Sequence, residues 1–584
     1  MRAAIPRLSR AFLWNSYNSR LRFIGGTRVL LQHGRHERLS RASHILARHQ
    51  HHLTRPQSDE PTIYALSTAS GRAAIAVIRI SGTQCAQVYR ALCPSAFFPT
   101  PRHATLRKLY TPHKPPSADT LLDSGALVLY FPGPNTVTGE DVLELHVHGG
   151  PAIVRAVLEA IPQCVKTSAR SSRQPPSVRY AEPGEFTRRA FANNRMDLPQ
   201  IEALGETLSA STEQQRKLSV RGTTSQLAAR YEQWRLLLLL ARGELEALID
   251  FSEDQHFDES PAILGVSVAS QIRALRIDME AHIVNAMRGE LLRSGINVAL
   301  LGAPNAGKSS LLNRIVGRDA AIVSQEAGTT RDVVEVGVDL GGWLVKIGDM
   351  AGLRRAGVIP GDVVGTIEQE GIKRAKQRAL ESDVLIVVHD ATTELDPEVL
   401  ETAKECVHNG INIVVAINKV DQLDDADSVR DAWKTKVQAA LGISSNRIAF
   451  ISCNAPISTT ATDPGHIRSF LNILLTTFKD ITSALVPDSD PNPGIWQESL
   501  GATERQRTLL IDCLGHLDTF LGAVSLEAVA EAAEDDYVDV DVDDFVDIVV
   551  AAESLRSAAE ALARITGRGD SGDVEEVLGV VFEK

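Results

Sequence analysis

The chain has 584 residues, too many for one hydrophobic core, so three or four domains are expected. A formal net charge of −12 and a pI near 5.8 exclude a uniformly basic nucleic-acid coat, leaving open a local basic face or an RNA contact shared with a partner. No apolar run approaches the ~20 residues that span a bilayer, and six cysteines without a Cys-x-x-Cys pair support neither a zinc site nor a disulfide framework.

Residues 1–58 differ in composition from the rest. They carry eleven Arg, from Arg2 to Arg55, no Lys, and Glu37 as the one acid. Arg-rich, acid-poor and weakly amphipathic, the stretch reads as a mitochondrial transit peptide, with a basic nucleic-acid arm as the competing reading. Beyond it, Ala73 to Ile80, Gly125 to Phe131 and Asp141 to His148 have strand character, separated by a helical stretch and Pro/His-rich loops. That is an α+β domain over 59–183, with Thr167 to Val178 as a loop-like insertion. Helical spacing continues over 184–293, notably Leu236 to Ile249 and Ile272 to Ala286. An α/β pattern then occupies 294–482. After the Pro/Asp-rich linker Val486 to Gly494, helical spacing resumes over 495–584, at Glu504 to Leu521 and Phe545 to Ile565. The expected architecture is multidomain: an α+β N-terminal domain and an all-α helical domain made discontinuous by an inserted P-loop α/β domain of Ras-like type. The acidic stretch 527–547 reads as a solvated surface and does not fit a calcium loop.

The α/β insert carries the chemistry. Ile296 to Leu301 is an apolar strand running into Gly302-Ala-Pro-Asn-Ala-Gly-Lys-Ser309, and an amphipathic helix from Ser310 leaves it. Such a loop aims backbone N–H groups at phosphates, Lys308 reaches the β/γ oxygens, and Ser309 can ligate Mg²⁺. Downstream, Gly328-Thr-Thr-Arg331 offers Thr330 as a second Mg²⁺ ligand, and Asp349-Met-Ala-Gly352 offers Asp349 for a metal-bound water and the Gly352 N–H for a γ-phosphate. Asn418-Lys-Val-Asp421 selects the base, because one carboxylate accepts from both the N1–H and the exocyclic amine of guanine. The expected GTP-binding set is Asn305, Ala306, Gly307, Lys308, Ser309, Ser310, Ser324, Thr329, Thr330, Asp349, Gly352, Asn418, Lys419, Asp421, Ser452 and Cys453. Val384 to His389, Ile411 to Ile417 and Ile448 to Ser452 complete an expected parallel sheet.

Position 353, where many GTPases place a water-orienting Gln, is Leu353. Catalytic help must therefore come from elsewhere. Asn305 can ligate a monovalent cation between loop and phosphates, or be an ordinary loop residue. Glu368, near the start of an expected helix Thr366 to Leu380, can position the water, or be a solvated helix carboxylate. Lys308, Asn305 and Glu368 form the expected catalytic set.

Outside the insert, Arg79-Ile-Ser-Gly82, Phe131-Pro-Gly-Pro-Asn135, Thr138-Gly-Glu-Asp-Val-Leu-Glu-Leu145, His148-Gly-Gly-Pro151, Pro183-Gly-Glu-Phe186, Arg188-Arg-Ala-Phe191 and Asn194-Arg-Met-Asp-Leu198 are more specific than the phosphate loop. With that loop chemistry, the chain from about Pro61 onward resembles the MnmE (TrmE) family of tRNA-modification GTPases, and with its leader a mitochondrial member. The resemblance implies a K⁺-stimulated GTPase whose hydrolysis drives conformational change. It also implies modification of C5 of the wobble uridine in mitochondrial tRNA, in the matrix, beside a flavin-dependent MnmG-like partner. It implies a homodimer within a hetero-oligomer and a one-carbon tetrahydrofolate bound by Arg79, Glu144 and Arg195, residues that read equally well as surface ion pairs. For K⁺ it points to Asn305, Ser324, Glu326 and Thr329, for Mg²⁺ to Ser309 and Thr330, and it sets Glu368 on the water-positioning carboxylate.

Three positions depart from the family pattern: Met350 replaces Thr, Gly357 to Gly365 contains an insertion, and the chain ends Val581-Phe-Glu-Lys584 in place of Cys-x-Gly-Lys. At the last, either the sequence stops short of the cysteine implicated in the modification chemistry or the protein does without it, and the expectation of GTP hydrolysis is the same in both cases. Two alternatives remain: a ribosome-assembly GTPase, which would require an RNA-binding module, and a GTP-dependent scaffold that does not hydrolyse. His146 and His148 share one strand face without an evident third metal ligand.

Overall fold

A computed structural model of the protein describes residues 60–165, 178–223, 226–251, 261–318, 320–325, 336–347, 376–423, 426–455, 463–486, 493–524 and 548–568. The chain divides into two units, Met1–Glu60 and Pro61–Lys584, and all the described helices and strands lie in the second. The leader, the insertion at 167–177, the acidic stretch 527–547, the insertion at 357–365 and the tail from 569 lie outside the described residues.

The first sheet is built from β1 (Thr62–Leu66), β2 (Ile75–Ser81), β3 (Thr105–Tyr110), β4 (Leu121–Phe131), β5 (Val142–His148) and β6 (Val178–Tyr180), with α1 (Cys85–Leu92) and α2 (Pro151–Ala160). The strand order is β3-β4-β5-β2-β1-β6, antiparallel throughout except for the parallel β1–β6 pair. Strand alternation decides what each face meets. Ala76, Ile78 and Ile80 share a core with Val88 and Leu92 of α1 and Val157 of α2, while Val77 and Arg79 are half-buried on the opposite face. The sequence signals β2, β4 and β5. It does not signal β3, an edge strand with Leu106 largely exposed, nor the short β1 and β6.

The chain continues through α3 (Glu185–Ala192), α4 (Leu198–Ser209), α5 (Glu213–Gly222), α6 (Gln226–Phe251) and α7 (Pro261–Ser294). Asp197 caps α4, accepting from Gln200 N while the Gln200 side chain accepts from Asp197 N, a reciprocal closure of two otherwise unpaired donors.

The second sheet contains β7 (Ile296–Leu301), β8 (Ala320–Gln325), β9 (Val336–Leu340), β10 (Trp343–Ile347), β11 (Val384–Asp390), β12 (Asn412–Asn418) and β13 (Ile448–Phe450). Packed with it are α8 (Lys308–Arg318), α9 (Pro397–His408), α10 (Ala426–Leu441) and α11 (Ile467–Thr482). Its order is β13-β12-β11-β7-β10-β9-β8. The expected all-parallel sheet needs correction: β13 through β10 are parallel, but β9 and β8 run antiparallel at one edge. The reason is local. Gly341 and Gly342, with φ of 59° and 93°, close a tight turn between β9 and β10, and a tight turn can join only antiparallel neighbours. Of the expected helix Thr366 to Leu380, residues 376–380 are helical, and the part before 376 lies outside the described residues.

The chain then adds α12 (Pro493–Ser499), α13 (Glu504–Ala523) and α14 (Ile548–Thr566). One hydrophobic core contains Leu238, Val268 and Met279 of α6 and α7 together with Leu510, Leu517 and Leu562 of α13 and α14. A buried polar chain threads it. His282 Nε2 lies 2.9 Å from the Tyr231 hydroxyl, which donates to Gln506 Oε1 at 3.1 Å, and Gln506 donates to Glu202 Oε2. With the tyrosine proton given to Gln506, the His282 proton sits on Nε2, leaving Nδ1 buried with no partner among the described residues. Burial, reinforced by Arg230, therefore pulls His282 down to about 3. The unfolded chain takes up this proton near pH 6.5 and the folded chain does not, so stability falls as pH drops from 6.5 towards 3 and is level above that window. Replacing His282 with Gln should remove up to about 1.4 kcal/mol per pH unit of that acid slope. Urea midpoints at about pH 6.5 and about pH 4.5 for wild type and variant measure it, and equal slopes would refute it.

Candidate guanine-nucleotide site

Strand β7 ends at Leu301, and the chain turns over the sheet edge before α8 begins at Lys308. Backbone shape explains the glycines here. A Cβ at Gly302 would lie 2.2 Å from Val388 O, and one at Gly307, where φ is +100°, would lie 2.1 Å from Asn418 Nδ2. Asn305 also takes a left-handed conformation, with φ of 62°. Leu311 N already bonds to Gly307 O, whereas the N–H groups of the first helical turn have no partner along the helix axis. Such an end attracts anions.

Lys308 fits that role. Its ammonium donates to the carbonyls of Gly302 and Ala303 at 2.7 and 2.9 Å, and among the described residues no carboxylate pairs with it. Burial pulls its pKa below the usual lysine value. Nearby phosphate charge would reverse that shift and stabilise the cation. Ser309 and Ser310 stand in the first turn, both exposed.

Asn418 joins three loops. Buried at the end of β12, it donates to Ala306 O at 2.9 Å and accepts from Cys453 N at 3.2 Å. Lys419, with φ of 63°, turns the chain into Val420–Gln422, where Asp421 is exposed. Lys419 is paired with Asp390 at 2.5 Å; burial raises the Asp390 pKa, but Lys419 and Thr392 more than offset this and hold it below its usual value. The Ser452 hydroxyl is buried with no partner among the described residues, a polar atom that a bound base can satisfy. Burial pushes the Cys453 thiol up to about 11, so it stays neutral there.

The structure thus brings together Asn305, Ala306, Gly307, Lys308, Ser309, Ser310, Asn418, Lys419, Asp421, Ser452 and Cys453. Ser324 lies in β8, described by its backbone alone, and Glu326, Thr329, Thr330, Asp349, Gly352 and Glu368 lie outside the described residues. Sequence reading missed Asp390, the partner of Lys419, and Arg314, which reaches from α8 to the loop after β13. Neither falls in a recognisable string.

In the first sheet, Arg79 and Glu144 are cross-strand partners and form an ion pair at 3.0 Å, while the second Glu144 oxygen lies 3.3 Å from His146 Nε2. Arg195 donates instead to the Thr136 carbonyl at 3.0 Å. His146 and His148 do not form a metal pair. His148 Nδ1 lies 2.8 Å from Asp123, so each histidine faces a different carboxylate, and the described residues contain no group of three metal-ligating side chains. All six cysteines are free and buried, and no described helix is long and apolar enough to cross a membrane.

A glycine-shaped phosphate cradle at the end of a central parallel strand, with an Asn, a Lys and an exposed Asp at the end of another, defines a P-loop guanine-nucleotide-binding protein. A family model described as the GTP-binding protein TrmE N-terminus matches residues 62–195, and one described as the MnmE helical domain matches 198–584. The mitochondrial tRNA modification GTPase mss1 of Schizosaccharomyces pombe is 38% identical over 530 residues, covering 90% of this chain and 94% of that protein. The mitochondrial 5-taurinomethyluridine-[tRNA] synthase subunit GTPB3 of Danio rerio is 38% identical, covering 90% and 92%. The tRNA modification GTPase MnmE of Paramagnetospirillum magneticum is 36% identical, covering 90% and 98%. The chain belongs to the MnmE (TrmE) family.

Proposed function

We propose that this protein is a mitochondrial GTPase that modifies C5 of the wobble uridine of tRNA, using GTP hydrolysis to drive conformational change. One observation carries the reading: the Lys308 cradle lies within a chain that matches tRNA modification GTPases almost from end to end. Lys308 and the first-turn N–H groups of α8 bind the phosphates, and Asp421 with loop 452–455 binds the base. Ser309 and Thr330 would hold Mg²⁺. Asn305, Ser324, Glu326 and Thr329 would hold K⁺, which supplies positive charge between loop and phosphates. Asp349, Gly352 and Glu368 complete the set, with Glu368 orienting the water in place of the glutamine that Leu353 replaces.

The finer reading divides the chain into a leader 1–58, a folate-binding and dimerising domain 59–183, helical halves 184–293 and 495–584, and a GTPase insert 294–482. The core shared by α6, α7, α13 and α14 supports one discontinuous helical domain. Arg79, Glu144 and Arg195 would bind a one-carbon tetrahydrofolate. The setting is the matrix, as a homodimer with a flavin-dependent MnmG-like protein.

GTP turnover in K⁺ compared with Na⁺ at equal ionic strength tests the catalytic part. Turnover should be faster in K⁺ by roughly tenfold or more, in line with the weight of a preorganised charge at a reacting oxygen. Equal rates would remove the cation from the account. Wobble-uridine analysis of mitochondrial tRNA from cells lacking the protein tests the RNA part, and unchanged nucleosides would remove that assignment.

A further inference from the structure

Arg314 lies on α8 six residues beyond Lys308 and spans to a different part of the sheet edge. Its Nε and Nη2 donate to the Cys453 carbonyl at 3.0 and 2.7 Å, and Nη2 also donates to the Ala455 carbonyl at 2.5 Å. The rest of this loop is held from the other side. Ser452 N bonds to Gly465 O at 3.0 Å, and Cys453 N bonds to the Asn418 side chain at 3.2 Å. Among the described residues, no other hydrogen bond ties α8 to loop 452–455. In a trans peptide unit the C=O and the N–H of the next residue point in opposite directions. Fixing the Cys453 carbonyl on α8 therefore turns the Asn454 N–H away from that helix, and among the described residues this N–H has no partner.

We propose that Arg314 is the positioning residue for base recognition. It ties loop 452–455 to the helix that carries Lys308, so that the loop N–H groups meet the 6-oxo group of a guanine whose phosphates are gripped by the same helix. A planar guanidinium donating to two carbonyls fixes both the position and the tilt of the peptide planes, which a flexible ammonium cannot do. The 2-amino group is read separately, by Asp421.

This inference rests on the guanine-nucleotide reading, and the experiment separates the two. Dissociation constants of the full-length protein and its Arg314→Ala variant are measured for GDP, IDP and 6-thio-GDP. 6-Thio-GDP keeps the N1–H and 2-amino groups but replaces the 6-oxygen with a poor acceptor, and IDP lacks only the 2-amino group. Loss of the two carbonyl tethers should weaken GDP binding by roughly 10- to 50-fold. The preference for GDP over 6-thio-GDP should collapse towards one, while the preference for GDP over IDP and kcat at saturating GTP stay within about twofold. Arg314→Lys should recover part of the 6-oxo preference, and it carries the test if the alanine variant does not fold. Equal weakening of GDP and 6-thio-GDP, or unchanged affinities, overturns the proposal. Failure of the wild type to bind GDP overturns the reading beneath it.

Discussion

Replacing Asp421 with Asn should abolish tight GTP binding and create tight XTP binding in its place. Asp421 is exposed beyond the left-handed Lys419, and Asn418 holds that turn against both the phosphate loop and the base loop. A carboxylate accepts two hydrogen bonds from guanine, at N1–H and at the 2-amino group. An amide there accepts only one, and its NH₂ group meets the guanine amine donor to donor. Losing a charged acceptor and leaving that clash costs about 3–5 kcal/mol, or roughly 10²- to 10⁴-fold in Kd. Xanthine carries a carbonyl at position 2, which the amide NH₂ satisfies. Because Lys308, Ser309 and the α8 first turn are untouched, XTP bound by the variant should be hydrolysed at close to the wild-type kcat for GTP. Competition against a fluorescent guanine nucleotide reads the affinities directly. A variant that still prefers GTP would place base recognition elsewhere.

The phosphate cradle and the Asn418 to Asp421 string were legible because each uses consecutive residues whose types are dictated by backbone shape or by the ligand. Gly307 must take φ of +100° against Asn418, and few other sequences permit that. Arg314 was invisible for the opposite reason. Its partners are the backbone carbonyls of Cys453 and Ala455, 139 and 141 positions away, and a carbonyl has no residue identity to read. The same limit hid the buried chain from His282 to Glu202, which draws on four helices, and the pairing of Lys419 with Asp390. Among strands, β11 and β12 announced themselves as near-continuous apolar runs, as strands covered on both faces do, and β7 as the apolar run from Val298 to Leu301 leading into the glycine loop. β3 and β9 did not, because edge and hairpin strands mix charged and apolar residues and their pairing is set by turns.

Trp343→Ala should separate GTP hydrolysis from the work it drives. Trp343 opens β10 and leans into a small cluster with Leu218 of α5, Leu292 of α7 and Leu500, beside Phe478 of α11 at a ring separation of 6.5 Å. Its turn is held from the helical side as well, since Gln214 N donates to the Gly342 carbonyl at 3.0 Å. The end of α7 is fastened to the same region: Gln215 donates to Arg293 O at 2.8 Å, and Arg293 pairs with Glu206 at 2.5 Å. One residue past α7, at Gly295, the chain enters β7 and runs to the Lys308 loop, while β10 runs to within two residues of Asp349. Two neighbouring strands that lead to the phosphate site are therefore both rooted in the helices, and Trp343 fills the joint. Removing the indole of this half-buried residue costs roughly 1–3 kcal/mol locally and lets β10 shift without moving α5 or α7. GTP turnover should stay within about threefold of wild type, because no cradle residue has changed, while wobble-uridine modification falls by roughly tenfold or more. Trp343→Phe, which keeps most of the volume and loses the 3.5 Å hydrogen bond to Thr482, should lie between. Parallel loss of both activities would make Trp343 an ordinary core residue of the GTPase. Retention of both would mean that movement reaches the helices by another route.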